Sequence, residues 1–362
     1  MEASDYRKRC YLSAIEAAKF LGVSVSTIHH LVETGQLRCI TAVSGQKRFD
    51  LAELKRLRQE NGFLTTSNVL KSQQGTRLEY VLSLNGTTQQ IYVKNAQQMG
   101  ELASDSVHLA ITSPPYFDAK MYAREPIPGD LGEIHDLHEW LEQIGLVWRE
   151  TFRVLQPGRK LFINIMNLPI RTGDGSFRML NLVGKTIDLC EQIGFVFKRD
   201  IVWHKTNSVR AHFGTYPYPG GILINHMHEF ILEFEKPAPR GYNKYAHLTQ
   251  EQKERSKLER EFWIQIKKSD VWTIKPEGSG DRRDHVAPFP VELPYRLIKA
   301  YSYVGERILD PFVGSGTTLL AAAQLRRNGV GYEINPEIAA EAFARLSNYQ
   351  LNLDTEMSIG EL

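Results

Sequence analysis

From about residue 90 onward, short apolar runs alternate with longer stretches in which apolar positions recur at helical spacing. The runs read as buried strands and the longer stretches as helices with one face on a core. Strands are expected at 90–93, 107–112, 161–165, 195–203, 229–234, 307–310 and 330–333. Helices are expected at 96–102, 137–155, 180–193 and 319–325. This alternation predicts an α/β domain built on a doubly wound, mostly parallel sheet.

The first sixty residues follow another pattern. Ser13 to Glu16 forms a capping box before an alanine-rich helix ending near Gly22, and Ser24 caps a second helix. Two short helices joined by a glycine turn make the helix-turn-helix pattern. A hairpin is expected at 40–49 and a third helix after Asp50. Residues 1–62 are therefore read as a small DNA-binding module, with Ser26, Thr27, His29 and His30 facing the major groove and Lys47 and Arg48 on phosphates. Residues 63–88 turn polar and read as a linker with one weak strand at 78–84; the main domain spans 89–352 and a tail 353–362.

Two stretches carry the candidate chemistry. Thr112-Ser113-Pro114-Pro115-Tyr116 follows an apolar strand, and its prolines fix two φ angles and force a stiff loop. At the carboxyl end of a strand, that loop offers a hydroxyl, carbonyl oxygens and an aromatic face, which suit the amino group and ring of a planar base. The second stretch is Asp310-Pro311-Phe312-Val313-Gly314-Ser315-Gly316-Thr317, read as strand end, glycine turn and helix start. Glu333 ends the following strand at about the 20-residue offset of a ribose-hydroxyl acceptor. The third glycine of a dinucleotide fingerprint is missing, which suggests a nucleoside ligand without a pyrophosphate.

These motifs in this order resemble the circularly permuted, or beta, group of amino-directed DNA methyltransferases, over residues 90–346. The resemblance implies a Rossmann-like methyltransferase fold, S-adenosylmethionine as cofactor and double-stranded DNA as partner, and a cognate restriction endonuclease is a further partner such enzymes accompany. It implies that Ser113 and the Pro114 carbonyl, stiffened by Pro115, hold the target amino group while Tyr116 stacks on the flipped base. Asp310, Phe312, Gly314, Gly316, Thr317 and Glu333 would line the cofactor pocket, with Phe289 and Pro290 from the segment before the cofactor strand. Where the group often has Gly-Asp, this chain has Lys94-Asn95, so Asn95 would contact the cofactor without a charge. Ser at the head of the loop favours cytosine N4 as target, with adenine N6 as the alternative. The N-terminal module is similar to the winged helix of excisionases and mercury-resistance-type regulators.

Target recognition is expected from 206–224 and 236–270, where aromatic and basic residues interleave, with nine Lys or Arg against four Glu in 236–268. Lys205, Arg210 and His212, together with Lys120 and Arg124 in the long segment after the active loop, are expected on DNA; Trp203 and His204 are expected as walls of the base pocket. A net charge of +2 argues neither for nor against nucleic acid, since a local patch suffices. Cys10, Cys39 and Cys190 form no close pairs, so no disulfide framework or zinc site is expected, and no cysteine lies in a Pro-Cys loop suited to attack on a pyrimidine ring carbon. No apolar run approaches membrane length and the N-terminus lacks signal-peptide character, so the expected location is the cytoplasm, at the nucleoid. A rival from another class is a DNA-binding regulator with an inactive methyltransferase domain, against which the intact Ser113, Tyr116, Asp310 and Glu333 speak.

Overall fold

The computed structural model describes residues 78–117, 127–171, 177–206, 219, 224, 226–276 and 289–360, together with 11–14, 17, 28, 31–32, 35–41, 47–50, 53–54 and 56. The chain divides into two compact units, residues 1–70 with 347–362 and residues 71–346. In the first unit β1 (Tyr11–Ser13), β2 (Ile40–Thr41) and β3 (Lys47–Asp50) form an antiparallel sheet in the order β1-β3-β2. The β2–β3 pairing is the expected hairpin; β1 is an addition the pattern did not announce. Ala17, Ile28, Leu31, Leu37, Phe49 and Leu54 close a small core under it.

The second unit opens with β4 (Glu79–Leu84) and β5 (Thr87–Tyr92), joined through Asn85 and Gly86 at φ 51° and 72°. Asn-Gly is the dipeptide that a two-residue hairpin turn of this hand requires. The weak strand expected in the linker is thus the edge of the main sheet, and the polar linker stops short of it. The chain continues through β6 (Val107–Thr112), α1 (Leu137–Val154), β7 (Leu155–Ile165), the small pair β8 (Leu168–Arg171) and β9 (Phe177–Leu180), α2 (Leu182–Ile193), β10 (Val196–Lys205) and β11 (His228–Glu235). It then forms α3 (Gln250–Arg255), α4 (Arg260–Lys267), β12 (Val271–Ile274), α5 (Glu292–Tyr301), β13 (Arg307–Asp310), α6 (Thr317–Gln324), β14 (Asn328–Tyr332) and α7 (Pro336–Gly360). Helix α7 runs through most of the expected tail.

Among the described residues the sheet has nine strands in the order β12-β10-β11-β7-β6-β13-β14-β5-β4. Strands β7, β6, β13, β14 and β5 are mutually parallel, and β11 runs against β7 and β10. The chain leaves β6 toward β7 and leaves β13 toward β14, so the order reverses between these two neighbours. That makes the β6–β13 boundary the switch point of a doubly wound sheet, where a crevice opens. One core packs α1 and α2 on one face, around Trp140, Trp148, Leu161 and Phe234; a second packs α5 and α6 on the other, around Phe162, Leu293, Leu297 and Ala321.

No helix forms at 96–102. Ala96, Met99 and Leu102 are buried, but Arg153 donates to the Met99 and Leu102 carbonyls at 2.8 and 2.9 Å and Glu150 accepts from Met99 N at 2.7 Å. Side chains of α1 satisfy the backbone that a helix would have satisfied itself. The charged stretch 249–263, whose spacing also predicts a single helix, instead forms the short helix α3 and the start of a second, α4.

The end of the sheet opposite the crevice is held by charge. Glu306 and Arg159, 1% and 2% exposed, form an ion pair, and His247 Nε2 lies 2.9 Å from Glu306 Oε1. His108, whose ring lies 4.7 Å from that of His247, accepts from Arg307 N through Nδ1 at 3.1 Å. With Nδ1 occupied, a neutral His108 carries its proton on Nε2 and has no lone pair left for a metal.

Candidate active site

Thr112 and Asp310 are 198 residues apart, yet Thr112 Oγ1 donates to Asp310 Oδ1 at 2.7 Å. They are the last residues of β6 and β13, which are neighbouring parallel strands, so the two candidate loops leave from one rim of the switch point. Pro114 and Phe117 are buried and anchor the first loop, Phe117 edge-on to Trp140. Ser113, Pro115 and Tyr116 between them are half-buried.

A polar network underlies this loop. Tyr116 Oη donates to Glu229 Oε2 at 2.8 Å, and Asn164 Nδ2 donates to the same oxygen at 2.5 Å and to Ser113 Oγ at 3.4 Å. Lys205 Nζ forms an ion pair with Glu229 Oε1. Glu229 and Asn164 are 6% and 3% exposed. The sequence reading missed both: Asn164 carried a signal, a polar residue inside the otherwise apolar run Leu-Phe-Ile-Asn-Ile, whereas Glu229 opens Glu-Phe-Ile-Leu-Glu-Phe, which holds a second glutamate and does not single it out.

On the other side of the switch point the glycine turn brings backbone close to backbone. Gly314 and Gly316 have φ of +50° and +80°, and a Cβ on Gly331 would lie 2.5 Å from the Asp310 carbonyl. Gly314 N donates to Glu333 Oε2 at 3.0 Å and Asn335 N to Oε1 at 2.9 Å, while Phe312 N donates to Asp310 Oδ1 at 3.0 Å. Burial pushes Asp310 and Glu333 up to about 7 against these donors. Among the described residues no cationic side chain pairs with either acid. Phe312 stands edge-on to Trp148, and Thr317 is buried under Arg345, which donates to its hydroxyl at 2.9 Å.

Asn95 follows β5 and accepts from Gln97 N at 3.3 Å. Beside it, under 127–134 and the first turns of α1, lies a cavity of about 450 Å³ lined by Gln97, Gly129, Asp130, Glu133, Glu139 and Gln143. Phe289 and Pro290 precede α5, where Phe289 packs on the core of the α5 face.

The expected DNA contacts fare differently. Lys205 is committed to Glu229 rather than left for phosphate, because a buried carboxylate needs a counter-charge. Lys47 is exposed and Arg48 half-buried on β3. Ser26, Thr27, His29, His30, Lys120, Arg124, Arg210 and His212 lie outside the described residues. Trp203 is core, 3% exposed with Nε1 on the Ile274 carbonyl at 2.9 Å, whereas His204 is exposed.

Segment 236–248 packs at the opposite end of the sheet. Lys236 Nζ donates to the Phe152 and Leu155 carbonyls, Lys244 Nζ to the Gly158 carbonyl, and Arg159 to the Lys244 carbonyl. Because β11 is antiparallel, its carboxyl end leads away from the crevice, so the first part of the expected recognition segment 236–270 sits far from the loop it was assigned to serve. Cys190 is wholly buried in α2 and its thiol is pushed up by burial, which removes it as a nucleophile.

Residues 107–344 match the family described as DNA methylase, and residues 11–62 match a helix-turn-helix domain. The chain is similar to the type II methyltransferase M.MthZI of Methanothermobacter thermautotrophicus, 32% identical over 75% of this chain and 79% of the relative. It is similar to M.MjaI of Methanocaldococcus jannaschii, 33% identical over 70% and 89%. A solved structure of TTHA0409 from Thermus thermophilus, a DNA modification methylase by name, complexed with S-adenosyl-L-methionine, is 34% identical with a TM-score of 0.57, covering 72% of this chain and 93% of that one.

Proposed function

Since the chain belongs to the DNA methylase family and is an S-adenosylmethionine-dependent DNA methyltransferase, we propose that it methylates the exocyclic N4 of a cytosine extruded from duplex DNA. For either amino target, the observation that supports transfer at this rim is the Thr112–Asp310 hydrogen bond, which joins the strand ends from which the two candidate loops leave. Serine at the head of the loop supports cytosine over adenine, and the order of the two motifs supports the beta group.

The residues on the cofactor side suit the cofactor's chemistry. Asp310 and Glu333 are acids held by neutral donors, so they retain capacity for ribose hydroxyls and for a positive charge nearby. Glycines 314 and 316 leave room for close approach. When bound, S-adenosylmethionine supplies an electrophilic methyl group on a sulfonium.

On the target side, Ser113 Oγ and the Pro114 carbonyl accept the two amino hydrogens and favour a pyramidal nitrogen with its lone pair free. Tyr116 supplies the stacking face. This geometry positions the nucleophile and needs no covalent enzyme intermediate. Extruding the base costs a few kcal/mol, which stacking and phosphate contacts offset.

The test is direct. Unmethylated DNA incubated with the full chain and cofactor, then digested to nucleosides for mass spectrometry, is expected to contain N4-methylcytosine. N6-methyladenine as sole product rejects the target assignment, and cofactor binding without any methylated base favours a regulator with an inactive domain.

A further inference from the structure

A buried acid beneath the target loop has no part in the transfer as described. Glu229 receives donors from three other elements: the phenol of Tyr116 on the β6 loop, the amide of Asn164 on β7 and the ammonium of Lys205 at the end of β10. A carboxylate that gathers a phenol and an ammonium makes charge-assisted bonds, stronger than neutral ones and more demanding of geometry. Two consequences follow for the loop.

The first concerns the ring. A tyrosine on a half-buried loop can turn about two side-chain torsions, and a phenol anchored to a fixed carboxylate at 2.8 Å loses that freedom. The second concerns Asn164. An amide 2.5 Å from a carboxylate oxygen must present its NH₂ there, since its carbonyl would be repelled. The same NH₂ faces Ser113 Oγ at 3.4 Å, so the serine oxygen accepts from Asn164 and its own proton is directed away from the amide. The other end of the amide points the same way: Asn164 Oδ1 is buried without a hydrogen-bond partner among the described residues. A buried acceptor left unsatisfied costs free energy, and its orientation is kept because Glu229 holds the other end.

We propose that Glu229 is the positioning residue of the target loop, holding through Tyr116 the aromatic face that receives the base and setting through Asn164 the hydrogen-bond polarity of Ser113, with Lys205 as counter-ion. This rests on the reading of the loop as the target site. It predicts that the tyrosine hydroxyl matters although only the ring touches the base.

The experiment compares full-length wild type, Glu229→Gln, Tyr116→Phe and the double variant. Labelled methyl transfer is measured to unmethylated amplified DNA, with cofactor affinity measured by titration calorimetry. Glu229→Gln is expected to lower kcat about 30-fold and Tyr116→Phe about tenfold, with cofactor Kd unchanged in both. The double variant is expected to lie within about twofold of Glu229→Gln alone, because the two groups act through one bond. Losses that multiply in the double variant, or a Tyr116→Phe variant with wild-type kcat, overturn the inference. Should Glu229→Gln fail to fold for want of a partner for Lys205, Tyr116→Phe leaves that pair intact and decides alone. A wild-type chain that binds cofactor and methylates no base overturns the proposed function instead and takes this inference with it.

Discussion

The cofactor side of the crevice and the far end of the central sheet bury acids on opposite terms. At the crevice, Asp310 is 1% exposed and meets a threonine hydroxyl and a backbone amide, and Glu333 meets two backbone amides. At the far end Glu306 is equally buried but is paired with Arg159 and approached by His247. Burial raises the first two acids to about 7, while the far-end histidine His108 is pushed down to about 3 by burial and by the nearby Arg159. An acid left without a cation is a poor way to stabilise a fold and a good way to keep a ligand site receptive; a paired acid is a clamp.

The largest expected effect sets the two against each other. Glu306→Gln leaves Arg159 buried without its counter-charge and is expected to destabilise by about 3 kcal/mol in denaturant unfolding, with cofactor affinity retained by the fraction that folds. Asp310→Asn is expected to leave stability at pH 7 within about 1 kcal/mol of wild type while weakening cofactor binding at least about tenfold. Equal destabilisation by both would erase the contrast.

Next in size is the dependence on pH. Asp310 and Glu333 have folded values above those of the unfolded chain, so their contribution to stability is full below about pH 4 and is lost as pH rises through about 7. His108 has the reverse sign: its folded value is depressed, so its contribution is present above about pH 6.5 and is lost as pH falls toward about 3. Between pH 5 and 7 the two ends oppose each other. Thermal unfolding of His108→Gln is expected to gain stability toward low pH relative to wild type, and Asp310→Asn to lose it, each by at most about 1.4 kcal/mol per pH unit per proton. Parallel pH profiles for the two variants would refute the assignment.

The smallest effect tests the hydroxyl that joins the two loops. Thr112→Val removes one donor from Asp310 and is expected to cost about 1 kcal/mol at pH 8, where the carboxylate is ionised, and less at pH 5, where it is protonated. A cost independent of pH would mean that Thr112 serves packing alone.

Local features of this molecule were legible along the chain. The β6 strand and its proline loop, the β13 strand with its glycine turn, and the acid ending β14 stand where apolar runs and turn residues place them. The Asn85-Gly86 dipeptide is a hairpin signal in the sequence itself, and it joins β4 to the sheet. Less legible was the fate of charge. Interleaved basic and aromatic residues look alike whether they face DNA or a protein's own carbonyls, and in 236–248 Lys236 and Lys244 were taken by main-chain oxygens at the far end.

The order and type of the principal strands, the two candidate loops and the residues at their tips followed from sequence alone, because steric limits on proline and glycine and the alternation of apolar and polar residues act over a few neighbours. Which loops meet, and which polar groups lie beneath them, was decided only in three dimensions. The Thr112–Asp310 bond spans 198 residues, and Glu229 is joined to Tyr116 across 113. Such pairings are set by strand order and direction in the sheet, and no local spacing encodes them.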